Sequence, residues 1–200
     1  TALLPAVGMA GIVFVASPNN PSGQSVSLDD LRCLLQAMTT GLLIVDEAYG
    51  EFAPEGTLPP LDVANPSVLR LRTFSKAYGM AGMRVGYAIG HADLIKAFDR
   101  IRNHFGVTRM GQQAAVAALD DQDYLKAVVA KVAAARDMIA AIARHNGLSP
   151  LPSATNFVTI DCGRDGAYAK RVLDTLVARG VFVRMPGVAP LNRCIRVTAG

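Results

Sequence analysis

The chain has 200 residues, 51% of them apolar, with three cysteines and a net charge of +4. The basic residues are interspersed with acidic ones rather than gathered in runs, which argues against nucleic-acid binding and suits anionic small molecules instead. Every apolar run is broken before the roughly 18 residues a membrane span requires, and no signal-peptide pattern opens the chain.

Cys33, Cys162 and Cys194 are odd in number, far apart and outside any metal-ligand spacing. That usage fits a reducing compartment, so a soluble, globular, cytoplasmic protein with structural thiols and no bound metal is expected. Half of 200 residues being apolar is enough for one large domain or two small ones. The chain opens on Thr1 without an initiator methionine and enters an apolar strand almost at once, as a fragment does.

Gly11 to Ala16 (GIVFVA) reads as a buried parallel strand, and Ser17 to Gly23 (SPNNPSG) as a loop of fixed course. Ser27 with Asp30 starts a helix that runs to about Met38, in the manner of a capping box. Gly41 to Asp46 (GLLIVD) is the next strand and places Asp46 at its carboxyl end, where ligands bind in open α/β sheets. A Pro-rich loop covers Phe52 to Pro66. Val68 to Thr73 is a third strand and Val85 to Ile89 a fourth. Helices are expected over His91 to Asn103, Thr108 to Leu119 and Asp121 to His145, the last stopped at Gly147. After LSPLPSAT, the pattern gives a strand over Asn156 to Cys162, a helix over Gly166 to Arg179, and strands over Val181 to Arg184 and Cys194 to Thr198.

The fold class is therefore α/β: a mostly parallel sheet with flanking helices, joined to a small α+β unit. Three parts are expected: residues 1–120 as a large domain incomplete at its N-terminus, 121–147 as a long connecting helix, and 148–200 as a small C-terminal α+β domain.

The chemistry centres on Thr73 to Tyr87 (TFSKAYGMAGMRVGY). A lysine acts as a covalent catalyst only as a free amine, which requires a desolvated or cationic setting. No acidic residue lies between Val63 and Gly90, and Lys76 is surrounded by Phe74, Ala77, Met80, Ala81 and Met83. Thr73 and Ser75 supply hydroxyls, Arg84 a permanent cation, and Gly79 and Gly82 allow close backbone approach, all of which suits a phosphate. An amine beside a phosphate site is what pyridoxal phosphate needs, because that cofactor carries an aldehyde and a phosphate. Asp46 wants a cation, which a protonated pyridine nitrogen supplies; a structural pair with Arg70 or Arg72 is the alternative. Tyr49 and Asn20 can each reach the cofactor's phenolic oxygen, although singly they read as a core tyrosine and a turn. Arg196 and Arg184 are candidates for a carboxylate or phosphate, or else a solvated strand face.

Taken in order, the NNPSG loop, VDEAY, TFSKAYGMAGMRVGY and CIRV resemble the fold-type I pyridoxal-phosphate enzymes, specifically the class I/II aminotransferases. Within these, FSKAYGMAG and VFVRMPGVAPLNRCIRVTAG are most similar to the histidinol-phosphate aminotransferases. The likeness implies Lys76 as the Schiff-base lysine and Asp46 as the pyridine-nitrogen partner. Asn20 and Tyr49 become the O3′ contacts, Thr73, Ser75 and Arg84 the phosphate ligands, and Arg196 and Arg184 the substrate's anion ligands. It implies transfer of an amino group from L-histidinol phosphate to 2-oxoglutarate, histidine biosynthesis as the setting, and a homodimer with a shared active site. Alternatives are an aromatic amino-acid aminotransferase, a threonine-phosphate decarboxylase-like enzyme, or a catalytically silent chain. Family members carry, upstream of the point matching Thr1, a further phosphate-binding helix N-terminus, a ring-stacking aromatic and much of the side-chain pocket.

Overall fold

A computed structural model describes residues 4–38 and 40–199. Thr1, where the truncation is placed, and Gly200, which closes CIRVTAG, lie outside the described residues. A short helix α1 (Leu4–Val7) leads into β1 (Ile12–Ala16), and α2 (Leu28–Ala37) leads into β2 (Leu42–Asp46). β3 (Val68–Thr73) and β4 (Gly86–Gly90) complete a four-stranded sheet of order β1-β2-β3-β4. β1, β2 and β3 run parallel, and β4 is antiparallel to β3. α3 (Ala92–Phe98), α4 (Arg109–Asp120) and the 24-residue α5 (Gln122–His145) follow. A second sheet is antiparallel, ordered β5 (Ser149–Pro150), β6 (Phe157–Asp161), β7 (Cys194–Thr198), with α6 (Gly166–Ala178) inserted between its last two strands.

The helices start where side chains can satisfy their free amides. Ser27 accepts from the Asp30 amide and donates its hydroxyl to the Asp30 carboxylate. Thr108, Asp121 and Asp165 cap α4, α5 and α6 in the same way.

Three core clusters hold the molecule together, and the second of them matters most for function. Tyr49 and Phe52 follow β2, Ala77 follows Lys76, Val132 comes from α5, Phe157 comes from β6 and Ala199 follows β7. These residues join the two sheets around the candidate site. Burying a side chain such as Phe157, 2% exposed, contributes about 1.5–3 kcal/mol.

Three sequence expectations need correction. β1 forms, but it is not buried: Ile12 is 63% and Phe14 58% exposed, because among the described residues β1 pairs only with β2 and lies at the edge of its sheet. Val181 to Arg184 is not a strand; only Arg184 pairs, as an isolated bridge to Arg196. The helix expected over His91 to Asn103 ends at Phe98, after which Asp99, Arg100 and Ile101 bond to carbonyls three residues back. The two-residue β5, inside the stretch read as a connection, went unforeseen.

Candidate active site

Asp46 ends β2, in register with Ala16 of β1 and Leu71 of β3. Its carbonyl accepts from the Ser17 amide at 2.9 Å, and its carboxylate accepts from the Ala48 amide at 3.0 Å, which orients the side chain. Side chains alternate across a strand, so Glu47 turns to the opposite face of the sheet. There, fully buried, it receives Arg70 Nε at 2.7 Å and Nη2 at 2.9 Å, and Arg72 Nε at 2.7 Å. Arg72 Nη1 goes on to Glu51 at 2.9 Å. The two arginines considered as structural partners for Asp46 therefore serve its neighbour, and Asp46 keeps its carboxylate free of an ion pair among the described residues.

This quartet fixes the segment that carries Tyr49. The Gly50 backbone passes so close to Arg72 that an added Cβ would lie 2.9 Å from the guanidinium carbon. Tyr49, 7% exposed, meets Phe157 edge-on at 5.5 Å between centroids. Its hydroxyl accepts from Asn20 Nδ2 at 3.4 Å. Asn20 Oδ1 in turn accepts from Arg196 Nη1 at 2.5 Å, and the Arg196 guanidinium stacks 4.8 Å from the Phe157 ring. Arg196 Nε is buried without a hydrogen-bond partner. A cavity of about 250 Å³ opens here, lined by Pro21, Arg184, Met185, Pro186 and Arg196.

Lys76 is half-buried, and its Nζ lies 5.3 Å from the centroid of the Tyr49 ring. It makes no ion pair among the described residues. A tight turn holds it: the Gly79 amide donates to the Lys76 carbonyl at 3.0 Å, with Gly79 at φ +67°, and the Met80 amide donates to the Phe74 carbonyl at 2.9 Å. Phe74 anchors the turn between Tyr78 and Tyr87, with ring centroids 4.9 and 5.5 Å away.

Asn20, Tyr49, Lys76 and Arg196 are thus joined by direct contacts, with Arg184 sharing the cavity beside Arg196. The remaining candidates are placed by the chain rather than by contact with those four. Thr73 accepts from the Ser75 amide at 3.1 Å and donates to the Val85 carbonyl at 3.5 Å, so its hydroxyl is engaged within the turn. Arg84 is exposed, has left-handed backbone at φ 53°, and donates to the Ala81 carbonyl at 2.8 Å.

Sequence reasoning missed Glu47, Glu51 and Phe157. Glu47 had a usable signal: an acid next to a strand-end aspartate, with arginines at alternating positions of the following strand, puts opposite charges on one face. Phe157 had none, since its contacts join segments far apart in the chain.

A match to the family model for aminotransferase class I and II extends over residues 2–200. The chain is 40% identical over 193 residues to histidinol-phosphate aminotransferase 2 of Methylococcus capsulatus, covering 94% of this chain and 51% of that protein. It is 38% identical over 193 residues to the histidinol-phosphate aminotransferase of Geobacillus thermodenitrificans, covering 94% and 52%. The crystal structure of histidinol-phosphate aminotransferase from Sinorhizobium meliloti, in complex with pyridoxal-5'-phosphate, superposes with a TM-score of 0.93 at 52% identity, covering 98% of this chain and 55% of that one. The chain spans about half the length of the curated relatives it matches. With the family model matched along almost its whole length and the lysine turn packed against the Asn20–Tyr49 pair, the chain belongs to the class I and II aminotransferases.

Proposed function

We propose that the full-length protein is a pyridoxal-phosphate-dependent aminotransferase that moves an amino group between L-histidinol phosphate and 2-oxoglutarate. The observation that carries this reading is Lys76: a half-buried amine with no acidic partner among the described residues, lying over the ring of Tyr49, whose hydroxyl is hydrogen-bonded through Asn20 to Arg196. The names of the similar proteins support the same substrate class.

The donor set fits the cofactor. Lys76 supplies the amine, Asp46 a carboxylate without an ion pair among the described residues for the ring nitrogen, and Asn20 Nδ2 and the Tyr49 hydroxyl the donors for the phenolic oxygen. Ser75 and Arg84 are available to the phosphate, with Thr73 shaping the turn that presents them. When bound, pyridoxal phosphate supplies an aldehyde and an electron-withdrawing ring. Asp46 holds a proton on the ring nitrogen. Lys76 Nζ would take the proton from the substrate carbon as general base and deliver it to the cofactor carbon as general acid. Arg196, with its unpartnered Nε, and Arg184 beside it form a cationic wall that accepts a phosphate in one half-reaction and a carboxylate in the other. A homodimer with a shared active site and a cytoplasmic location belong to the same reading; they rest on family likeness, and sedimentation of the full-length protein checks the first.

The test is to reconstitute full-length protein with pyridoxal phosphate, add L-histidinol phosphate and 2-oxoglutarate, and assay glutamate. Glutamate formation and a cofactor absorbance band that disappears in Lys76→Ala are expected. Activity on phenylalanine or tyrosine alone would move the assignment to an aromatic aminotransferase, and release of carbon dioxide without nitrogen transfer to a decarboxylase.

A further inference from the structure

The loop bearing Asn20 is held from the second sheet, and one residue of that grip lies outside the site just described. Thr159 of β6 and Arg196 of β7 are cross-strand partners, so their side chains stand together on one face. They take hold of two consecutive loop residues. Arg196 Nη1 donates to the Asn20 side chain, and the Thr159 hydroxyl donates to the Pro21 carbonyl. A third anchor follows, the Ala154 amide donating to the Gly23 carbonyl at 2.7 Å. Gly23 has φ +84°, and a Cβ there would lie 3.0 Å from Ser153 Oγ, so loop and linker are in close contact.

The two grips differ in availability. Arg196 lines the cavity and has a second nitrogen without a partner, so it is a ligand for an incoming anion. An anion bound there shares the guanidinium that also holds Asn20. Thr159 is 0% exposed and does not line the cavity, so nothing that enters the site competes for its hydroxyl. We propose that Thr159 is a positioning residue: it fixes the Asn20–Pro21 segment from behind, and so keeps Asn20 Nδ2 on the Tyr49 hydroxyl while Arg196 serves both Asn20 and an anion. The proposal rests on the reading of Asn20 and Tyr49 as cofactor contacts.

Thr159→Val replaces the hydroxyl by a methyl of similar size, which cannot donate and cannot approach the carbonyl as closely. Thr159→Ser restores the donor. In full-length, cofactor-free protein, amide exchange at Gly23 and Ala154 should rise about fivefold in Thr159→Val, the value of one hydrogen bond, with other segments unchanged and with wild-type exchange in Thr159→Ser. With pyridoxal phosphate added, the pH midpoint of the cofactor band should move in the valine variant and return in the serine variant. Thr159→Ala, which removes the hydroxyl without adding bulk, reads the same way if the valine variant does not fold. Exchange that rises equally throughout the chain, or serine failing to restore Gly23 and Ala154, would overturn the proposal. If wild-type protein gives no cofactor band, the aminotransferase reading falls instead, and the exchange measurement still decides the role of Thr159.

Discussion

Arg70 meets both carboxylate oxygens of Glu47, at 2.7 and 2.9 Å, where both side chains are almost wholly shielded from water. Removing one partner of such a pair leaves the other charge buried alone, which costs about 3–5 kcal/mol. Glu47→Ala leaves the Arg70 guanidinium without a carboxylate and Arg72 with Glu51 alone. Urea denaturation should place this variant at the upper end of that range or find it unfolded.

Gly50→Ala brings a methyl against Arg72. A free arginine would swing aside, but this one is bonded to both Glu47 and Glu51. The expected loss is about 1–3 kcal/mol, typical of overpacking. A double-mutant cycle checks the cause: combined with Arg72→Ala, the alanine at position 50 should cost almost nothing further.

Arg196→Lys keeps the charge and loses the fork. A single ammonium cannot hold the Asn20 side chain and an anion in the planar geometry of a guanidinium. In steady-state assays of full-length protein, the Michaelis constant for the phosphorylated donor should rise by at least about tenfold, the value of one charge-assisted hydrogen bond.

Asp161 gives a pH-dependent contribution to stability. Burial by itself would raise its pKa, but the Gly163 amide and Arg193, at 2.8 Å each, outweigh that and leave it lowered. A carboxyl with a depressed folded-state pKa stabilises the protein above its unfolded pKa, and that stability is lost as pH falls through the folded value. Wild-type protein should therefore resist urea better than Asp161→Asn at pH 7, and the difference should shrink below about pH 4.

The thiols should divide into one and two. Cys33 is exposed, whereas Cys162 and Cys194 are buried, and burial pushes both of their pKa values up. Ellman's reagent should titrate one thiol quickly in native protein and the other two only after unfolding.

Local patterns made most of the elements legible. The apolar run of β2, the strand of β3, the Ser27 cap and the Ala-rich α5 were all visible, because strand and helix periodicity are properties of neighbouring residues. What failed depended on distant partners. GIVFVA carries the pattern of a buried strand whatever lies beside it, so its exposed edge could not be read. VFVR has strand-forming residues, yet only Arg184 finds a partner, Arg196, and that pairing depends on a segment distant in sequence. At the site, segment order pointed to Lys76, Asn20, Tyr49 and Arg196, and contacts between them are present. The Phe157 contact and the Thr159 anchor follow from how two sheets meet, which no spacing within one segment reveals.

The two acids at the tip of β2 are neighbours in the chain but work on opposite sides of the sheet. Their separation depends only on odd and even position. Deleting one residue between Leu42 and Val45 would exchange them, sending Asp46 toward Arg70 and Arg72 with too short a reach and turning Glu47 to the face Asp46 had occupied. The count of residues in this strand is therefore as binding as their identity: a two-residue change preserves which acid faces which way, and a one-residue change disables both at once.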